Sequence, residues 1–183
     1  MMKNNATKID SKERPVKHKA AIVDSAMLFI IFCASMVLRI VPACSTVFKE
    51  GWINFQGVDS WYHLRLIENM LHHFPSRITF DPYTYFPNGQ DVFFAPFHDF
   101  LYGTITWIAT AGSTVPSTIE NVLVFLPPIF GSLLIIPVYF IGKKLFDRKT
   151  ALIAALLVIV LPGQFFNMSK FGFLDHHVTE VLF

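Results

Sequence analysis

Two short clusters in the sequence combine a carboxylate with imidazoles, and they are the residues best suited to chemistry. They span residues 57–65, with Asp59, His63 and Arg65, and residues 172–180, with Asp175, His176, His177 and Glu180. Carboxylate oxygen and imidazole nitrogen together suit a divalent transition ion and also accept a harder ion. The first cluster alone is weak evidence for a site. The prediction is that Asp59, Asp175 and one histidine of the 176–177 pair surround one divalent cation.

Each cluster also has a simpler interpretation. Asp59 precedes a predicted helix over residues 60–73, where an aspartate commonly caps free backbone N–H groups. A capping carboxylate keeps a second oxygen, so capping does not exclude metal binding. The second cluster lies between apolar stretches, where four ionisable side chains are costly unless they are solvated, paired or metal-bound. A hydrated loop without a ligand is therefore the alternative there.

Three further polar positions are weaker candidates. Lys170 either meets a phosphate or anchors a membrane segment at the lipid headgroups. The pair His98-Asp99 is interpreted as a helix start with Asp99 as the cap, in preference to a ligand pair. Arg39 lies near the outer end of the first apolar run, where we expect its side chain to snorkel to the headgroups.

The composition indicates a membrane protein built of helices. Of the 183 residues, 53% are hydrophobic and only 15% are charged, which is too apolar for an ordinary soluble domain of this size. The basic residues concentrate in residues 1–19 and 143–149, next to apolar runs. Basic clusters in that position are topology signals more often than nucleic-acid patches, so we expect no nucleic-acid partner.

The apolar runs and turn-forming residues divide the chain into eight segments. The predicted order is a disordered basic cytoplasmic tail (1–19), a first membrane span (20–47), an external loop with short amphipathic helices (48–119), a second span (120–142), a cytoplasmic loop (143–149), a third span (150–166), a second external loop (167–177) and the start of a fourth span (178–183). With both basic clusters in the cytoplasm, the two acidic clusters share the external face of a multi-pass cell-membrane protein.

The combination of motifs resembles the Stt3 family of N-linked oligosaccharyltransferases, in particular its archaeal AglB-type and bacterial members. The residues that carry the resemblance are, in chain order, Gly57-Val58-Asp59 with Tyr62-His63-Leu64-Arg65, Asp81-Pro82, Phe86-Pro87-Asn88-Gly89, Pro127-Pro128, Ile136-Pro137-Val138-Tyr139, Gly172, Asp175-His176-His177 and Glu180. The similarity covers roughly residues 22–183. The family often has an arginine shortly before the second cluster, whereas Lys170 is the cation in that neighbourhood here.

The resemblance implies an all-α, polytopic, GT-C type membrane glycosyltransferase. Such an enzyme transfers an oligosaccharide from a lipid phosphate or pyrophosphate carrier to the asparagine of Asn-x-Ser/Thr in an acceptor protein. By this resemblance Asp59 is the catalytic residue and a metal ligand, and Asp175 and His177 are metal ligands for Mn²⁺ or Mg²⁺. The family's enzymes have many further spans and a soluble C-terminal domain, so we expect these 183 residues alone to be inactive.

Two other function classes remain open from the residues. Another GT-C glycosyltransferase that uses a lipid-linked sugar would have an external acidic motif, but not the Asp-His-His sequence after the third span. A non-enzymatic membrane module would bind no metal and would be insensitive to the substitutions Asp59→Ala and Asp175→Ala.

Overall fold

The computed structural model describes the backbone from residue 4 and the side chains of residues 21–183. The predicted cytoplasmic tail, residues 1–19, lies outside the range in which both are described. The first helix begins before that range and continues without interruption into the first apolar run. Everything that follows concerns residues 21–183.

The described chain is mostly helical. The helices are α1 (Asn4–Ile40), α2 (Cys44–Val47) after a 3₁₀ turn (Val41–Ala43), α3 (Val58–His72), α4 (Phe97–Ala109), α5 (Pro116–Leu123), α6 (Leu126–Leu133), α7 (Ile135–Leu145), α8 (Arg148–Val160), α9 (Gln164–Met168) and α10 (His177–Leu182). Two antiparallel hairpins of two-residue strands interrupt them: β1 (Phe48–Lys49) with β2 (Trp52–Ile53), and β3 (Phe80–Asp81) with β4 (Gln90–Asp91). The prediction of a helical protein is confirmed, and the hairpins are an addition to it.

Two helical segments of the described chain are long and apolar enough to cross a membrane. They cover Ala21–Val47, with 27 residues, and Pro116–Leu145, with 30 residues. The second segment comprises α5, α6 and α7 in succession. Its prolines 127, 128 and 137 fall in the first turns of α6 and α7, where the missing N–H would have no helical partner.

The predicted third span, 150–166, is not one continuous helix. Helix α8 has 13 residues and reaches about 20 Å, whereas a bilayer core is about 30 Å thick. It ends because Leu161 precedes Pro162, which disfavours helical backbone, and Leu161 is extended (φ −63°, ψ 116°). A crossing here would need the extended residues after α8 as well, so the third span stays a prediction.

The carboxylate of Asp24 joins three helices near the start of the apolar segment Ala21–Val47. Asp24 is buried and accepts hydrogen bonds from the Tyr139 hydroxyl at 2.6 Å, from Lys143 Nζ at 2.7 Å and from Arg148 Nε at 2.5 Å. These donors belong to α7 and α8, which also pack closely on each other. The acidic residue in the first span therefore fixes the basic turn between α7 and α8 to the start of that span.

Arg39 performs a corresponding role at the C-terminal end of α1. The predicted snorkelling of Arg39 is wrong, because its side chain is fully buried. Its Nε donates to Ser169 Oγ at 2.9 Å, its Nη1 donates to Ser35, and its backbone oxygen accepts from the Phe171 N–H at 3.1 Å. These bonds attach the segment that leads into the second acidic cluster to the first span.

We expect Gly131→Ala to destabilise the fold by about 1–3 kcal/mol, the usual range for overpacking a core. A Cβ on Gly131 would overlap the Ser169 side chain and lie 3.1 Å from Arg39 Nε. The matched control is Gly103→Ala, whose new Cβ meets the flexible end of Met70. Thermal unfolding in detergent compares the two; equal melting temperatures for both variants and the parent would contradict the account.

Candidate metal centre

The first acidic cluster lies where α3 begins. Gly57 is the N-cap, with φ 85° and ψ 154°, a conformation that glycine adopts without steric cost. Asp59 follows in the first helical turn, and no side chain caps this helix. The capping interpretation of Asp59 is therefore wrong, and its half-buried carboxylate is not committed to the backbone of α3 as a cap. A carboxylate in the first turn also interacts favourably with the positive end of the helix dipole.

Hydrogen bonds join the first cluster to the second. The Gln56 N–H donates to the Gly172 carbonyl at 2.8 Å, and the Leu174 N–H donates to Ser60 Oγ at 2.9 Å. Gly172 has φ 86°, and a Cβ there would lie 2.5 Å from Val47 Cγ2, so the close approach requires glycine. Two segments separated by more than a hundred residues are thus joined by two hydrogen bonds.

Asp59 and Asp175 consequently line one cavity of about 150 Å³. Its walls come from both paired segments and from the end of α9, and consist of Gln56, Gly57, Val58, Asp59, Ser60, Met168, Phe173 and Asp175. The predicted meeting of the two clusters is observed in the fold. The cavity is large enough for a cation with some of its water, since one water occupies about 30 Å³ of liquid volume.

The second cluster is organised around one oxygen of Asp175. Asp175 Oδ1 accepts from the His177 backbone N–H at 2.9 Å and lies 2.6 Å from His177 Nδ1 and 3.7 Å from His176 Nδ1. One ligand atom from each of these three residues lies within 4.8 Å of the others. The donor set is one carboxylate with two imidazoles, and Asp59 adds a second carboxylate across the cavity, so the residues fit a divalent cation.

The two neighbouring histidines have opposite pKa shifts. The hydrogen bond with Asp175 raises the pKa of His177 above 6.5, and the charge of Asp59 contributes in the same direction. Burial lowers the pKa of His176, although Asp175 partly offsets that effect.

His63 belongs to a buried polar row behind the second cluster. Its Nδ1 lies 2.7 Å from Asp99 Oδ1, and its Nε2 lies 3.2 Å from His176 Nδ1. Arg77 Nε donates to the other Asp99 oxygen at 2.6 Å. The interpretation of Asp99 as a helix cap is wrong, because α4 begins at Phe97 and Asp99 is fully buried in its first turn.

Sequence reasoning missed Arg77 and Asp99 as neighbours of the site. The available signal was His63, which lies on the face of α3 that also carries Leu66, Ile67 and Met70, all buried. A buried histidine needs polar partners, and these partners are distant in sequence. One ligand atom each from His63, His98 and Asp99 also lies within 4.8 Å of the others, but Arg77 and His63 already occupy both oxygens of Asp99.

The remaining predicted residues lie to the side of the cavity. Arg65 pairs with Asp81, whose pKa is about 2 because hydrogen bonds from Thr84, Tyr83 and Arg65 outweigh the effect of burial. Glu180 is exposed, with Oε1 3.7 Å from His176 Nε2. Lys170 Nζ donates to Asn167 at 2.8 Å and does not line the cavity.

The sequence matches a known protein family over most of its length. The family model for the N-terminal part of the oligosaccharyl transferase STT3 covers residues 27–183. Dolichyl-phosphooligosaccharide-protein glycotransferase 3 of Archaeoglobus fulgidus is 43% identical over 156 residues, which are 85% of this chain and 18% of the relative. The dolichyl-monophosphooligosaccharide–protein glycotransferase AglB of Haloferax volcanii is 37% identical over 136 residues, 74% of this chain and 13% of the relative. The chain thus spans less than a fifth of the length of these two relatives.

Solved structures of an A. fulgidus oligosaccharyltransferase have the same fold in the matched region. The complex with Zn and sulfate has a TM-score of 0.79 at 42% identity, covering 85% of this chain and 19% of the solved one. The complex with an inhibitory peptide and a dolichol-phosphate has a TM-score of 0.80 at 41% identity, covering 87% and 18%.

In the metal-free protein, we expect His177 to titrate at higher pH than His176, because Asp175 holds the His177 proton while burial disfavours the His176 proton. The pair of His177 with Asp175 then stabilises the fold below about pH 6.5, and this contribution is lost as pH rises through the raised pKa. Histidine-resolved NMR titration measures both values.

Asp175→Asn lowers the His177 pKa in this account, whereas Asp91→Asn, at an exposed carboxylate on β4, leaves it unchanged. The reverse order of titration for the two histidines would contradict the observed arrangement.

Proposed function

The chain belongs to the oligosaccharyl transferase STT3 family, and from this we propose that it supplies the membrane-embedded, metal-binding part of an oligosaccharyltransferase. The reaction moves an oligosaccharide from a dolichyl phosphate or pyrophosphate carrier to the side-chain nitrogen of asparagine in Asn-x-Ser/Thr. The donor lipid, the acceptor protein and the membrane are thus the partners. Relatives named for this activity, and a related structure that contains a dolichol-phosphate and a peptide, support the proposal.

One observation carries the proposal: Asp59 and Asp175 line the same small cavity. Asp59, Asp175 and His177 would hold Mn²⁺ or Mg²⁺ there, and the zinc in a related structure supports a divalent site. A divalent cation in this position supplies positive charge that stabilises the departing phosphate or pyrophosphate. Asp59 has a second role, since its carboxylate accepts a hydrogen bond from the acceptor amide and orients the amide nitrogen.

The positions of the charged residues support the proposed orientation in the membrane. Asp24 and its basic partners lie at the start of the first long helical segment, and Val47, next to Gly172 of the second cluster, lies at its end. These ends are about 35 Å apart at 1.5 Å per residue, slightly more than a bilayer core. In this proposal the basic turn lies in the cytoplasm and the cavity on the external face, following the positive-inside tendency.

The test places residues 27–183 in the matched segment of the A. fulgidus glycotransferase and measures Mn²⁺-dependent transfer to an Asn-x-Thr peptide. We expect the chimera to be active. We also expect Asp59→Asn and Asp175→Asn each to lower turnover at least about 100-fold, since a group that acts on the transition state contributes several kcal/mol.

Asp91→Asn is the matched control, because Asp91 is an exposed carboxylate of the same external segment and does not line the cavity. Full turnover by a well-folded chimera that carries both Asp59→Asn and Asp175→Asn would refute the assignment of the cavity as the reaction site.

A further inference from the structure

Four polar side chains form a continuous row that ends at the second acidic cluster. The row runs from Arg77 through Asp99 and His63 to His176, with successive separations of 2.6, 2.7 and 3.2 Å. His63 and Asp99 are completely buried, and the Arg77 side chain is 6% exposed. These residues come from α3, α4 and the connection between them, so the row links the external helices to the segment that carries Asp175.

The Arg77 end of the row determines which atoms carry hydrogens. Arginine has donors only, and a carboxylate has acceptors only. Arg77 donates to Asp99 Oδ2, and Asp99 Oδ1 then faces His63 Nδ1. Two acceptors would repel each other at 2.7 Å, so His63 carries its hydrogen on Nδ1. In neutral His63, Nε2 is consequently an acceptor.

The hydrogen position of His63 determines that of His176. His63 Nε2 accepts, so the nitrogen it faces, His176 Nδ1, has to donate. His176 then has its lone pair on Nε2. The ring of Phe94 packs against both imidazoles, with centroids 4.7 Å from His63 and 5.0 Å from His176, and limits rotation of either ring.

We propose that Arg77, Asp99 and His63 are positioning residues that fix His176 in the Nδ1–H tautomer. The Nδ1–H then lies on the side of Asp175 Oδ1, 3.7 Å away, and Nε2 is the free acceptor on the side of Glu180. In metal sites, the groups around the ligands orient them, and their loss typically lowers metal affinity or activity 10–100-fold. His176 is such a neighbour, because it lies between the proposed ligands Asp175 and His177. This functional consequence rests on the proposed function of the cavity. The tautomer of His176 does not depend on that function.

The substitution Asp99→Asn tests the direction in which the hydrogen bonds of this row run. An amide has one acceptor and one donor side, and Arg77 requires the acceptor. The amide NH₂ therefore faces His63 Nδ1, the hydrogen of His63 moves to Nε2, and His176 Nδ1 becomes the acceptor. The hydrogen of His176 is displaced to Nε2, so a change at Asp99 inverts the tautomer of a residue that Asp99 does not touch.

The experiment records two-bond ¹H–¹⁵N correlation spectra of ¹⁵N-histidine-labelled, metal-free 183-residue protein in detergent, above the titration range of the histidines. We expect His176 to be protonated at Nδ1 in the parent and at Nε2 in Asp99→Asn. Asp91→Asn is the control and leaves the parent pattern. Protonation of His176 at Nε2 in the parent protein would overturn the proposal, and this outcome does not depend on how well any variant folds.

A Mn²⁺ titration followed by electron paramagnetic resonance separates this proposal from the function it serves. We expect binding by the parent and 10–100-fold weaker binding by Asp99→Asn. Failure of the parent to bind Mn²⁺ would count against the metal site, and the NMR result would still decide on the tautomer. An inverted tautomer with unchanged Mn²⁺ affinity would overturn the positioning role.

Discussion

The site depends on the pairing of residues 56–60 with residues 172–174. Two hydrogen bonds make this pairing, and a glycine at position 172 permits it, because no Cβ fits against Val47. The pairing holds Asp59 and Asp175 at one cavity. Without it, the two acidic clusters would be separate, and neither alone would supply both Asp59 and Asp175 to one cation.

Buried polar contacts of α1 position this pairing. Arg39 is buried and attaches both Ser169 and the backbone of Phe171 to the first span, just before the second cluster begins. A buried guanidinium is costly to leave without partners, so its bonds strongly favour one arrangement of α1 and the segment that follows α9. Near the start of the segment Ala21–Val47, Asp24 accepts hydrogen bonds from side chains of α7 and α8. The apolar segment Ala21–Val47 is thus fixed by buried polar contacts near both of its ends.

Local patterns predicted much of this molecule. The helical period predicted α3, the apolar runs predicted the two long helical segments, and the residue types of the two clusters predicted a shared site. Side-chain partners could not be predicted, because they depend on contacts between distant segments. Arg39 was expected at the headgroups and Asp99 at a helix cap, the usual positions for such residues near helix ends. Tertiary contacts instead buried both, Arg39 against serines and Asp99 between Arg77 and His63.

The most direct measurement is amide hydrogen exchange at Leu174, whose N–H donates to Ser60 Oγ across the pairing. Leu174 is fully buried, and a hydrogen-bonded buried amide exchanges only when the local structure opens. The account predicts slow exchange in the parent protein and clearly faster exchange in Ser60→Ala, with the amides of the α7 interior unchanged. Exchange at Leu174 as fast as in an unstructured peptide would show that the two segments are not paired, and the shared cavity would have no basis.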